Sequence, residues 1–166
     1  GLDGAIREVD GVLAALGPHP VAECYRVELD LWAGRYETAA AGFEAILAAR
    51  RGTVWGWIGL SSAWLGLGDA ARALAPVDEG IRAIGFRGAT VPVTRGEALL
   101  ALGRLDEAAE ELRAATRAHP GRISAWALRV LCHDARGDGD ARDRAFARLD
   151  REAPALASDA ARHAGA

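Results

Sequence analysis

The stretch Leu99-Leu100-Ala101-Leu102-Gly103-Arg104-Leu105-Asp106 decides the fold, because its pattern returns at a fixed interval along the chain. Apolar residues lead into Gly103; beyond it Ala108, Leu112 and Ala115 recur at spacings of three and four, the mark of one apolar stripe on a second helix. The same turn reappears as Gly34-Arg35-Tyr36-Glu37, Gly68-Asp69-Ala70-Ala71 and Gly137-Asp138-Gly139-Asp140, so the four turns begin 34, 35 and 34 residues apart. Breakers stand between them at Gly52, at Gly85 and Gly88, at Pro120-Gly121 and at Pro154. The unit is therefore helix, tight turn, helix, breaker. A constant period of this length points to stacked repeats, each unable to bury its apolar face alone.

In its residues the unit resembles the tetratricopeptide repeat, whose pattern is W-x2-L-G-x2-Y, then A-x3-F, then P over 34 residues. The second unit supplies Trp57, Leu60, Ser61 and Trp64, followed by Ala73 and Val77. The third supplies Gly96, Leu99, Ala108, Leu112, Ala115 and Pro120, with Pro92 at the place of the Trp. The fourth has Trp126, Val130, Phe146 and Pro154, with Arg142 at the place of the first Ala. In the first, Ala39, Phe43 and Ile46 fit the trailing helix. The resemblance implies an all-α fold, a right-handed superhelical solenoid of antiparallel helix pairs. First helices would line a concave groove.

The register predicts repeats at 20–53, 54–87, 89–122 and 123–156, preceded by a helix over 1–19 and followed by a short capping segment over 157–166. Ala5, Val9 and Val12 fall in second-helix places of a unit whose first helix is absent. Two readings compete, a lone capping helix and a fragment of a longer protein. The lack of Met favours the fragment. Two irregularities are expected: Pro76, inside a second helix, should kink it, and the extra residue within Gly85-Phe86-Arg87-Gly88 should alter the superhelical step.

Bulk chemistry narrows the function. The 166 residues are 51% hydrophobic, enough for a core, and carry a net charge of −3 with Arg scattered among acids, which argues against nucleic-acid binding. All 20 residues counted as Lys or Arg are Arg, and Lys, Asn, Gln and Met are absent, as in proteins of high-GC bacteria. Cys24 and Cys132 have no companions at metal or disulfide spacing, so a reducing, cytoplasmic setting is expected. The uncharged run from Gly52 to Gly68 is too short and too rich in Gly and Ser for a membrane span. No membrane partner, cofactor or metal is expected.

Catalytic patterns dissolve on inspection. Gly59-Leu60-Ser61-Ser62-Ala63 approaches a nucleophile elbow, yet Ser61 stands where the repeat needs a small residue at a helix crossing. Cys132 and His133 are adjacent on one helix and point apart, and Cys132 reads as a small core residue. Asp134, Asp138 and Asp140 do not complete a calcium loop, since Arg136 and Ala145 occupy ligand places.

What remains is an interaction surface. By the family's geometry, the groove would present Tyr25, Glu28, Trp32, Trp55, Ile58, Ser62, Thr94, Glu97, Leu128 and Leu131. Arg26, Arg95 and Arg129 share one place in units one, three and four, where unit two has Leu60. Their guanidinium groups either fork onto a partner's carboxylates or pair internally with acids such as Glu23 or Glu97. The expected function is a non-catalytic scaffold that binds a protein or peptide, with Glu28 and Glu97 favouring a basic or amine-bearing one. Self-association through the solenoid ends, or service as the regulatory or docking arm of a larger protein, is the alternative. Without Lys or Asn, the family's known capture of C-terminal carboxylates is not expected.

Overall fold

The structure, a computed structural model, describes residues 1–49, 53–85 and 88–153. Among these, all regular structure is helical: α1 (Leu2–Leu16), α2 (Pro20–Trp32), α3 (Tyr36–Ala49), α4 (Val54–Gly66), α5 (Ala70–Ile84), α6 (Thr90–Ala101), α7 (Leu105–Ala118), α8 (Ile123–Ala135) and α9 (Gly139–Glu152). The uncharged run contains α4, only 13 residues long, and no described helix is long and apolar enough to cross a membrane.

The four repeated turns share one backbone solution. Gly34, Gly68, Gly103 and Gly137 have φ of 74°, 75°, 71° and 70°, where a side chain would be strained. In each, the glycine N–H donates three residues back and the next N–H donates five back, as from Gly103 to Leu100 and from Arg104 to Leu99. This closes the carbonyls of the first helix and reverses the chain within two residues. The residue after the glycine then opens the second helix: Asp69 accepts from the Arg72 N–H at 3.0 Å, and Asp138 from the Ala141 N–H at 3.1 Å.

The helices group into two compact units, Gly1–Phe86 and Arg87–Ala166. In the first, each of α1 to α5 packs on the next, and α2 also meets α4. In the second, α6 to α9 pack likewise, and α6 also meets α8. Contact between alternate helices is what makes stacked hairpins bury a shared core.

Small residues set the spacing inside each unit. The Phe43 ring lies so close to Gly59 that a Cβ there would overlap it, while Gly80 sits under Trp57, where a Cβ would come to 3.0 Å. Gly96 plays the same part against Leu112 in the second unit. The first unit's core gathers Cys24, Ala39, Ala40, Phe43, Ile46, Leu60 and Ala63. In the second, Val130, Ala145 and Leu149 form one cluster and Val93, Ala115 and Ala125 another. Ser61 is fully buried, and its hydroxyl finds no partner among the described residues, as a small residue tolerated for its size would.

Pro76 is buried inside α5, which is one helix from Ala70 to Ile84 on both sides of it. Pro92 falls on the third residue of α6, where the missing N–H has no helical acceptor to lose. The expectations for Phe86, Arg87 and the segment 157–166 lie outside the described residues.

Candidate functional site

Helix α2 starts with Pro20 in its first turn, which presets the backbone for a helix, and this places Tyr25, Glu28 and Trp32 along one face. Tyr25 and Trp32 remain exposed, at 43% and 55%, and meet edge to face with ring centroids 6.0 Å apart and planes at 88°. Glu28 sits half-buried on the same face, and burial pushes its carboxyl above the ordinary range. No ion pair or hydrogen bond reaches that carboxylate among the described residues. On the neighbouring α4, Trp55 is 59% exposed, whereas Trp57, two residues on, is buried in the core. Ile58 and Ser62 of α4 are half-buried.

In the second unit the expected groove residues diverge. Thr94 is a correction: at 5% exposure it lies inside, because it shares its side of α6 with the buried Val91 and Ala98. Glu97 is open to solvent, yet desolvation by surrounding protein raises its carboxyl. Leu128 and Leu131 are half-buried.

The arginine place resolves differently in each repeat. Arg26 pairs with Asp10 of α1 at 2.7 Å and with Asp30 one turn along α2, and Asp30 also accepts from Arg35 at 2.8 Å. Burial alone would raise the Asp30 carboxyl, but the hydrogen bonds and charges of Arg35 and Arg26 outweigh it and hold it below the usual carboxylate range. Arg35 reaches Asp3 as well, so five charged residues tie α1 to α2 and the α2–α3 turn. Arg95 pairs with Glu111 of α7 at 2.6 Å. The pairing is thus internal, with acids of the same helix (Asp30) or of a neighbouring one (Asp10, Glu111) in place of Glu23 and Glu97. Arg129 has no carboxylate partner among the described residues: its Nη1 donates to the Thr116 hydroxyl at 3.0 Å, and its guanidinium lies 4.9 Å from the centre of the Trp126 ring.

The groups that suggested chemistry lie apart from this surface. Cys132 is buried, its thiol pushed up by burial and aimed at the Leu105 carbonyl. His133 lies near Asp138 at 3.9 Å, and Asp134 pairs with Arg142 at 3.1 Å. No group of three metal-ligating side chains occurs among the described residues.

Two features escaped the sequence reading. One is buried Asp30, which fills the aromatic place of the repeat and could have been suspected from an acid inside an apolar register. The other is a cavity of about 260 Å³ in the first unit, lined by Glu44, Leu47, Ala48, Trp57, Leu60 and Glu79. No local signal marks it, since three helices contribute to it.

Comparison with known proteins agrees with this architecture. The tetratricopeptide repeat family model matches residues 93–132. A thermophilic TPR protein of Thermus thermophilus is similar with a TM-score of 0.85 at 20% identity, over 96% of this chain and 89% of that one. MamA of Desulfovibrio magneticus RS-1, residues 41 to its end, is similar with a TM-score of 0.73 at 15% identity, over 91% and 85%. YrrB, described as a TPR protein with an unusual peptide-binding site, is similar with a TM-score of 0.70 at 19% identity, over 97% and 84%. Among curated proteins none matches.

Proposed function

We propose that this chain, whose fold is that of tetratricopeptide-repeat proteins, is a protein-binding module that takes a basic or amine-bearing side chain of its partner on the face of α2. The observation that carries the reading is the grouping of Tyr25, Glu28 and Trp32. Two exposed rings touch each other beside a carboxylate that is partly desolvated and has no internal partner among the described residues. A cation there would gain both an ion pair and the face of an aromatic ring, each worth more where water is thinned. Trp55, on the packed neighbour α4, adds a second aromatic anchor of the kind that dominates interfaces. The likeness to a peptide-binding repeat protein supports the same class of partner. The proposed role is binding without chemistry of its own. Titrating a panel of Lys- and Arg-bearing peptides against the protein should shift tryptophan emission, and Trp32→Ala should remove most of that response. If neutral peptides of matched length bind as well, the basic preference is wrong.

A second reading rests on α1. Leu2, Val12 and Leu16 are exposed at 38%, 49% and 82% along that helix, a stripe suited to packing against another helix. Self-association through it would appear as a concentration-dependent mass in light scattering. A constant monomer mass would rule it out.

A further inference from the structure

In the second unit, the guanidinium of Arg129 occupies the place that buried Leu60 fills in the first. A Leu there needs no partner; a guanidinium does. Arg26 and Arg95, in the same place of other repeats, each hold a carboxylate, and Arg129 holds none among the described residues. Its Nε is fully buried with no hydrogen-bond partner among the described residues, and Thr116 fixes its Nη1 while Trp126 lies alongside. Thr116 is itself fixed, donating to the Leu112 and Arg113 carbonyls within α7.

Two further cations act on this group. Arg113 stands one helical turn before Thr116, and Arg144 precedes Ala145, which packs against Val130 of α8. Neither has a carboxylate partner among the described residues. Burial, and after it the charges of Arg113 and Arg144, make the Arg129 cation harder to keep than usual. Arg113, Arg129 and Arg144 thus lie on three helices that pack in succession, α7 on α8 and α8 on α9, each without a carboxylate partner among the described residues, in a chain whose net charge is −3.

We infer that Arg113, Arg129 and Arg144 form an anion site in the second unit, one that receives the carboxylates of an acidic segment of a partner protein. The second hydrogen of Nη1 and both of Nη2 remain on Arg129, and this end of the planar fork matches the two oxygens of a carboxylate. A nucleic acid fits poorly, because it needs an extended cationic track and this chain offers one spot on an acidic whole. The site is independent of the α2 face and does not rest on the reading given for it.

The test is calorimetric titration of the whole chain with a Glu/Asp hexapeptide blocked at both ends, with its Gln/Asn counterpart, and with inorganic phosphate. The acidic peptide should bind at least about tenfold more tightly than the neutral one, the usual worth of a charge-assisted hydrogen bond. Arg129→Leu should lose about tenfold; it should fold, since Leu60 fills the matching place. Arg113→Gln and Arg144→Gln should each weaken binding by about threefold. Equal binding of the two peptides, or unchanged affinity in Arg129→Leu, would overturn the site. Phosphate displacing the peptide at equal concentration would overturn the carboxylate assignment.

Discussion

Tyr25 and Trp32, seven residues apart on α2, touch edge to face at 6.0 Å while both remain exposed to water. Apolar rings held together at a surface, rather than withdrawn into the core, leave a ready-made apolar contact whose ordering cost is already met. Trp32→Ala should therefore leave urea stability within about 0.5 kcal/mol of wild type, while weakening partner binding by about 2 kcal/mol. Parallel denaturation and peptide titration separate the two effects. A variant that unfolds would show that Trp32 serves the fold.

Asp30 serves the fold. It is buried, with two guanidinium groups on its carboxylate and α1 attached through Asp10 and Asp3. Asp30→Asn should cost about 2 kcal/mol, because Arg26 and Arg35 each lose the buried carboxylate they share, and Arg26 keeps only the more exposed Asp10. The folded carboxyl titrates below its unfolded value. Its contribution is thus complete above about pH 4 and is lost as pH falls through the folded value. Acid unfolding should begin earlier in wild type than its neutral-pH stability suggests, and Asp30→Asn should flatten that part of the profile.

Gly59→Ala should destabilise the first unit by about 1–3 kcal/mol, because the new methyl would meet the ring of Phe43, itself fully packed. Gly103→Ala tests the turn instead. With φ at 71° and open space around it, its cost is backbone strain of about 1 kcal/mol. Thermal unfolding of both variants distinguishes a packing defect from a conformational one.

The repeat was legible because each element of it is local. Gly34, Gly68, Gly103 and Gly137 mark a backbone conformation that few other residues tolerate, and the apolar periods on either side state which face is buried. Trp57 and Cys132 were placed in the core by register alone, and both are there. Side-chain pairing was less accessible. Register put Arg26, Arg95 and Arg129 in one column, but beyond Asp30, one turn from Arg26, the partners include Asp10, Glu111 and Thr116, 13 to 16 residues away. Which acid a long side chain reaches depends on helix packing that no periodicity records. Thr94 failed for a related reason: the family's groove places assume a uniform first helix, and α6 turns that side inward with Val91 and Ala98.

Glu28 offers a pH signature. Its carboxyl titrates higher in the folded chain than in the unfolded one, so the stability it lends is present below about pH 4 and lost as pH rises through the folded value. Glu28→Gln should then be no less stable than wild type at pH 7. Binding of an amine needs the ionised form, so wild-type affinity should fall as pH drops through that raised value, and the variant should lack the step.

The proposed role of the α2 face stands on the pairing of Glu28 with a partner's cation, and a double-mutant cycle measures it directly. Wild type and Glu28→Gln are titrated with a Lys-bearing peptide and with the same peptide carrying norleucine. A coupling of about 1 kcal/mol or more between Glu28 and the lysine, at pH 7 and low salt, is the predicted result. Additive changes, with no coupling beyond error, would contradict it.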